Sequence, residues 1–425
     1  MGGYCTGTGI PVNEYDVAII GAGPAGLFCA IQAGAAGLRV LLIEKNREPA
    51  RKLLLSGSGQ CNITHAGDIG EFLTRYGSHG KFLKPALLMF GNDDLVRFFG
   101  ARGLAMITRE DGKLFPASLR AADVREHLVA ACDETGVDLR CGTPVTGVSR
   151  DEKGFSVSTA ENTFCADALV IATGGKSYPS TGSTGDGYRF ARSLGQPITP
   201  VAPALTPVKI HNYPFPDLAG ISLPAASFTL WRAGKKLGDY AGDLLLTHTG
   251  LSGPGILDAS RTFAAGDELR IAFISRTGTR GADTLERTLK GANGTRPVRS
   301  VLADFSLPDR LARKIPGLAG IPSDMTCAHL SAPLRTRLAG LLTAFPFTIE
   351  SPGDFTVAMA TRGGVALESV NAKTLESRIV PGLYFCGEVL DIDGDTGGYN
   401  LQAAFSTGFL AARSIAGKAG KKKKP

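Results

Sequence analysis

An α/β fold split by a β-rich insert is the architecture that this sequence predicts. Three observations carry that expectation. Residues 15 to 45 show a strand–turn–helix–strand pattern. A proline-rich stretch with short alternating runs then occupies about 197 to 265, and the first pattern returns after about 352. Alternation of strand and helix implies a parallel sheet, and the change of pattern in mid-chain implies an inserted domain.

The elements follow in order. Tyr15 to Ile20 is a short apolar run with β-branched residues, suited to a buried parallel strand. Gly21-Ala-Gly-Pro-Ala-Gly26 is the turn, Leu27 to Gly37 is Ala-rich and helical, and Leu38 to Glu44 is the next strand. Residues 46 to 66 read as loop, 84 to 100 and 121 to 135 as helices, and 104 to 116 and 137 to 165 as short strand pieces. Ala168 to Ala172 is an apolar strand, and a helix is expected near 186 to 194. The insert carries Pro197, Pro200, Pro203, Pro207, Pro214, Pro216 and Pro224 with runs such as Ser227 to Trp231, a barrel or sandwich pattern. From 281 to 345 the chain is basic and helical. Gly382 to Gly387 is then a strand and turn, and Leu401 to Ala416 an amphipathic helix.

Composition narrows the functional classes. At 425 residues the chain exceeds one simple core and implies two or three domains. Its net charge of +7 suggests nucleic acid until it is located, because Lys418 and Lys421 to Lys424 supply five of those charges. A solvated tail is the simpler reading, and no stable nucleic-acid or membrane partner is expected. The eight cysteines (Cys5, Cys29, Cys61, Cys132, Cys141, Cys165, Cys327, Cys386) form no CxxC pair and no metal-like cluster. A reducing cytoplasm is the simplest inference. Val17 to Leu38 is uncharged, but Gly21, Gly23, Pro24 and Gly26 interrupt it and no basic segment precedes it. It reads neither as a membrane span nor as a signal peptide.

The hexapeptide Gly21 to Gly26 fits GxGxxG with strand before, helix after and an acid at Glu44. Gly21 allows the tight turn, Gly23 the approach of a pyrophosphate, and Gly26 close helix–strand packing. The helix N-terminus offers N–H groups and a positive dipole end to phosphates, and Glu44 can accept from ribose hydroxyls. This motif alone serves FAD and NAD equally. Three further segments favour FAD: Val170 to Gly175, a strand running into a small-residue turn; Gly387-Glu388, an acid at a strand end able to bind a polyol; and Gly397 to Leu401, a helix start whose N–H groups suit the flavin N1–C2=O edge.

The sequence resembles bacterial NAD(P)/FAD-dependent oxidoreductases of the aminoacetone-oxidase-like type, a family that includes bile-acid reductases. The resemblance spans about residues 15 to 416. It rests on Arg51 to Thr64, Phe115-Pro116, Gly174 to Pro179, Gly182 to Gly187, Thr247 to Pro254, Gly387 to Gly394 and Thr396 to Leu401. It implies a Rossmann-like FAD-binding domain of the two-dinucleotide-binding type, a β-barrel substrate domain and a small helical domain. The expected boundaries are 1–14 flexible, 15–196 and 348–416 FAD domain, 197–280 and 325–347 barrel, 281–324 helical, and 417–425 basic disordered tail. The candidate contacts to non-covalent FAD are Gly21, Ala22, Gly23, Pro24, Ala25, Gly26, Glu44, Lys45, Lys52, Ser56, Gly57, Gly59, Cys61, Asn62, Val145, Ala172, Thr173, Gly174, Gly175, Gly387, Glu388, Gly398, Asn400 and Leu401. Three positions depart from the family: Ser58 and Gln60 stand where Gly and Arg are common, which puts an anion contact in doubt, and His65 stands where Asn is frequent.

For chemistry, Cys61 reads as a packed thiol more readily than as a nucleophile. Lys52 is a candidate to neutralise the pyrophosphate. His248, in a Gly-rich loop of the insert, is the acid/base candidate, with Tyr399 or solvent as the other proton source. The leading expectation is hydride transfer between a reduced donor, NAD(P)H as a transient co-substrate, and a small organic molecule. No second GxGxxG provides a dedicated nicotinamide domain. An amine or aminoketone oxidase using oxygen is one alternative. A flavin-carrying RNA-modifying or RNA-binding protein, suggested by the lysine tail, is another.

Overall fold

The computed structural model describes residues 14–275, 281–291, 294–305 and 307–422. Two compact units divide the chain: 1–204 with 355–425, and 205–354.

The first unit is built on a seven-stranded sheet. Strand β1 (Tyr15–Ile20) lies between β2 (Val40–Ile43) and the strand Thr163–Ile171, parallel to both, with Ile20 level with Ile43 and Ile171. Asp138–Arg140 extends the sheet beyond β2, and Leu383–Phe385 returns from the far end of the chain to pair in parallel with Thr163–Ile171. The antiparallel strands Gly154–Ser158 and Gly147–Asp151 complete it. Val17, Ile19, Leu41, Leu42, Leu169 and Val170 are fully buried, as the two-sided cover of a parallel sheet requires. Helix α1 (Pro24–Ala35) packs one face, with proline in its first turn, where a missing N–H costs nothing. The C-terminal helix Tyr399–Lys422 lies against α1, and an ideal Cβ on Gly408 would stand 2.5 Å from the Ala25 carbonyl oxygen.

The second unit holds a closed six-stranded barrel of Val208–Ile210, Gly250–Ser252, Lys235–Leu246, Ser222–Arg232, Glu268–Ala272 and Phe345–Pro352. Alternate residues such as Phe228 and Leu230, Leu269 and Ile271, and Phe347 and Ile349 fill its interior. The helices Ala282–Gly291, Val298–Ala303, Asp309–Leu318 and Ala332–Thr343 add Leu285, Leu302, Leu311, Ile315 and Leu342 to the same hydrophobic cluster. Barrel and helices therefore share one core.

Several local expectations change. The single helix foreseen over 84 to 100 is two, Gly80–Met89 and Asn92–Gly100, because Phe90 is extended. The loop-rich 46 to 66 contains a 3₁₀ segment, Arg51–Gly59, broken at Ser56 to Ser58. The units divide later than the composition suggests, since the proline-bearing strand Ile198–Ala204 pairs with Ala360–Val365 in the first unit. Residues 332 to 343, placed with the barrel, are helical. The last helix continues through Lys422 instead of fraying at 417, and Lys418 pairs with Glu376. The tail residues 423 to 425 and most of the N-terminal segment, 1 to 13, lie outside the described residues. Among the described residues no helix is long and apolar enough to cross a membrane, and no group of three His, Cys, Asp or Glu could hold a metal.

Candidate active site

The strand ends of the first unit converge on the N-terminus of α1. Gly26 is obligatory there, since an added Cβ would stand 1.9 Å from the Gly21 carbonyl oxygen. Gly23 is the opposite case, with no atom within 4 Å of its would-be Cβ. That open space fronts a helix start with no side-chain cap, so its first-turn N–H groups remain for a ligand. Ala22, Pro24 and Ala25 complete the turn.

Glu44, at the end of β2, is 8% exposed. Its Oε2 accepts from the Ala22 N–H at 2.9 Å, and its Oε1 from the Asn46 N–H and Nδ2 at 2.9 and 2.7 Å. The carboxylate is thus aimed by three donors and retains acceptor capacity. Lys45 is paired with Asp186 and Thr184, both at 2.6 Å. Val145 is half-buried in the loop before Gly147–Asp151 and packs on the main core.

Lys52 meets a partner that spacing alone does not reveal. Its Nζ lies 2.8 Å from Glu388 Oε2 and also donates to Ser177 Oγ. Glu388 Oε1 accepts from Ser177 Oγ at 2.9 Å and from the Thr361 N–H at 2.8 Å. The charge assigned to a pyrophosphate is here matched by the acid assigned to a polyol. The pair joins segments 336 residues apart. Ala172, Thr173, Gly174 and Gly175 form the neighbouring turn, where a Cβ on Gly175 would lie 2.4 Å from Thr361 Oγ1. Among the described residues the buried Thr173 hydroxyl has no hydrogen-bond partner, and neither has that of Tyr188. Gly387 sits against α1, its would-be Cβ 2.8 Å from that of Ala25.

The 51–62 loop closes on the start of the last helix. Ser56 bonds to Leu53 O, and Cys61 N–H donates to Ser56 O. Gly57 leaves no room for a side chain, with Asn62 N at 2.7 Å, whereas the nearest atom to a Cβ on Gly59 is 3.9 Å away. With its amide oriented to satisfy both neighbours, Asn62 donates to Thr64 O at 3.0 Å and accepts from the Gly398 N–H at 3.1 Å. Gly398 is at φ +97° with Thr64 O only 2.5 Å from a would-be Cβ, so no side chain fits. Asn400 closes the preceding turn onto Gly394, and Leu401 packs on the core.

Burial pushes the Cys61 thiol up to about 12, against a smaller opposite effect of the Ser56 hydroxyl. A thiol so held is not a thiolate at neutral pH. Tyr399 is buried, stacks on His65 (5.2 Å, 17°) and meets Phe72 edge-on. Burial raises its phenol and Arg75 opposes that rise. Its ring is a packing element at the helix start. Gln60 accepts from Arg109 Nη2 at 2.6 Å, bringing a guanidinium to the loop from a distant hairpin.

His248 belongs to the second unit. It occupies the tip of the turn between Lys235–Leu246 and Gly250–Ser252 and is exposed. The turn is rigid: Thr247 N–H donates to Gly250 O, Gly250 N–H to Thr247 Oγ1, and Ile210 N–H to Thr249 O. Gly250 and Gly253 are forced by backbone within 2.1 and 2.7 Å of a Cβ, and Pro254 begins a helix. Among the described residues the imidazole makes no hydrogen bond.

A GxGxxG cradle, an aimed ribose acid and a second strand-end acid fit an FAD-binding Rossmann domain, and with the barrel insert they define an FAD-dependent oxidoreductase. The chain belongs to the family described as HI0933-like protein Rossmann domain, which it matches over residues 15–414. It is 33% identical to the ribosomal RNA dihydrouridine synthase of Escherichia coli over 95% of this chain and 98% of that one. It is 31% identical to the 3-dehydro-bile acid delta(4,6)-reductase of Clostridium scindens over 94% and 98%. A ribosomal RNA dihydrouridine synthase of Haemophilus influenzae is 32% identical over 93% and 97%. In fold it is similar to a flavocytochrome c3 fumarate reductase in the open conformation, with TM-score 0.51, 17% identity and coverage of 96% and 79%.

Proposed function

We propose that this enzyme reduces a conjugated carbon–carbon double bond, the C5=C6 bond of uracil in ribosomal RNA. Uracil, NAD(P)H and a proton give dihydrouracil and NAD(P)⁺. The carrying observation is the end-to-end similarity to two ribosomal RNA dihydrouridine synthases. The delta(4,6)-reductase named above also acts on carbon–carbon double bonds, which supports the bond class independently of RNA. RNA thus replaces the small organic molecule as the leading substrate, in the role of a substrate and not a stable partner.

FAD, when bound, supplies hydride chemistry. The chain's own residues bind and aim it: the α1 N-terminus takes the pyrophosphate, Glu44 the adenosine ribose, and Glu388, fixed by Lys52, Ser177 and Thr361, the polyol chain. His248 delivers the proton to the carbon next to the carbonyl, from a turn that holds it without engaging it. Hydride addition places negative charge on the uracil carbonyl, and the proton completes the reduction.

The test is expression in an Escherichia coli strain lacking its own ribosomal RNA dihydrouridine synthase, followed by mass spectrometry of nucleosides from purified ribosomal RNA. Dihydrouridine restored by the wild type is the expected result. Its absence, with flavin-loaded protein present, overturns the reading.

A further inference from the structure

Arg109 lies in the tight turn between Met106–Thr108 and Lys113–Pro116. Its N–H donates to Lys113 O, and its carbonyl accepts from the Gly112 N–H, both at 2.9 Å. The side chain reaches back over its own hairpin. Its guanidinium stands 3.9 Å from the centroid of the buried Phe115 ring, and Nη2 donates to Gln60 Oε1 at 2.6 Å. Two independent contacts therefore order a side chain that is otherwise mobile on an exposed turn.

The charge of this group is felt by Asp111 but is not taken up in an ion pair. Among the described residues Arg109 makes no ion pair. Asp111, the acid beside it, is bonded by Lys113 at 2.7 Å, and Glu110 makes no ion pair either. Gln60 takes one of the five guanidinium N–H donors and, being neutral, leaves the positive charge intact. An ordered guanidinium with free donors is preorganised for an oxyanion, which it can grip with two parallel hydrogen bonds. Through Gln60 it is tied to the Gly57–Asn62 loop, which in turn holds Gly398 at the start of the last helix.

We propose that Arg109, set by Gln60 and Phe115, is an anion clamp of the substrate site that grips a phosphate of RNA or the carboxylate of a free acid. Naming phosphate rests on the RNA reading above; the clamp itself rests on Arg109, Gln60 and Phe115.

The experiment titrates the FAD-loaded enzyme with two probe pairs, uridine 5′-monophosphate against uridine and cholate against its methyl ester. Binding is read from the perturbed flavin absorbance. Wild type is expected to bind the anionic member of at least one pair about tenfold more tightly, the scale of one charge-assisted contact. Arg109→Gln removes that preference, and Arg109→Lys keeps part of it, since an ammonium cannot form the two-point contact. Gln60→Glu removes it with the arginine still present, because the new carboxylate occupies the guanidinium. Flavin content stays unchanged in all three. Preference for the monophosphate assigns RNA phosphate, whatever the cholate pair shows; preference for cholate with neither uridine probe bound assigns a free carboxylate and sinks the RNA reading while the clamp survives. Binding of both uridine probes with no phosphate preference, and with no preference in the cholate pair, overturns the clamp and leaves the RNA reading standing. A preference that persists in Arg109→Gln, or no charge preference in either pair, also overturns the clamp.

Discussion

The cofactor unit and the barrel unit treat their polar side chains in opposite ways. In the first, Glu44 accepts from three donors, and Glu388 is held by Lys52, Ser177 and the Thr361 N–H. In the second, the Thr247–Gly250 turn is held by its own hydrogen bonds, and among the described residues the His248 imidazole makes none. A cofactor-binding group must be fixed before the ligand arrives, because ordering it afterwards weakens binding. A proton donor must stay able to exchange its proton. That contrast is the ground on which His248 is proposed as a proton donor, and the variants below test it.

The harshest way to break that comparison is His248→Ala. Turnover should fall by roughly 10²–10⁴-fold, the range for loss of a general acid, with full flavin absorbance retained. Loss of flavin or of the fold in this variant, with the surviving protein still active, would make His248 structural. Two glycine variants sharpen the cofactor side. Gly26→Ala forces a Cβ to within 1.9 Å of a carbonyl oxygen; it should cost about 1–3 kcal/mol of stability by over-packing and release FAD, as seen by calorimetry and absorbance. Gly23→Ala meets nothing within 4 Å, so melting should be unchanged while FAD affinity falls.

Glu44→Ala comes next, weakening FAD by roughly 1–3 kcal/mol, the cost of hydroxyls left unpaired. Equilibrium dialysis measures it. Cys61→Ser should leave turnover within a factor of about two, because a thiol buried and held near 12 is neutral at assay pH. Rapid alkylation of native Cys61 at pH 8 would contradict that burial. The smallest effect is truncation after Gly417. The Lys418–Glu376 pair is largely exposed on the lysine side and is worth about 0–1 kcal/mol, so flavin content and turnover should hold.

The legible part of this protein was the part in which local backbone geometry is the function. Gly21 to Gly26, Glu44 and the two strand-end segments announce themselves because a close approach or a helix start admits few residue types, and the structure shows that crowding directly at Gly26 and Gly398. Gly250 and Gly253 are legible for the same reason. Lys52 was read toward phosphate because an isolated lysine carries no sign of its partner; Glu388 is 336 residues away. Ser177 and Thr361 carried no signal beyond being small and polar. Arg109 was missed because its link to Gln60 spans 49 residues and depends on a hairpin that returns it over Phe115.

By itself, then, the sequence determined the nucleotide cradle, the split α/β architecture and the turn that carries His248, since each depends on contacts within a few residues. Only the tertiary structure decided that four helices share the barrel's core, that Lys52 answers Glu388, and that a guanidinium stands beside the 57–62 loop. Those outcomes rest on pairings between distant segments. Short-range periodicity and spacing record which residues repeat along one element, and they hold no information about which element that face or charge will meet.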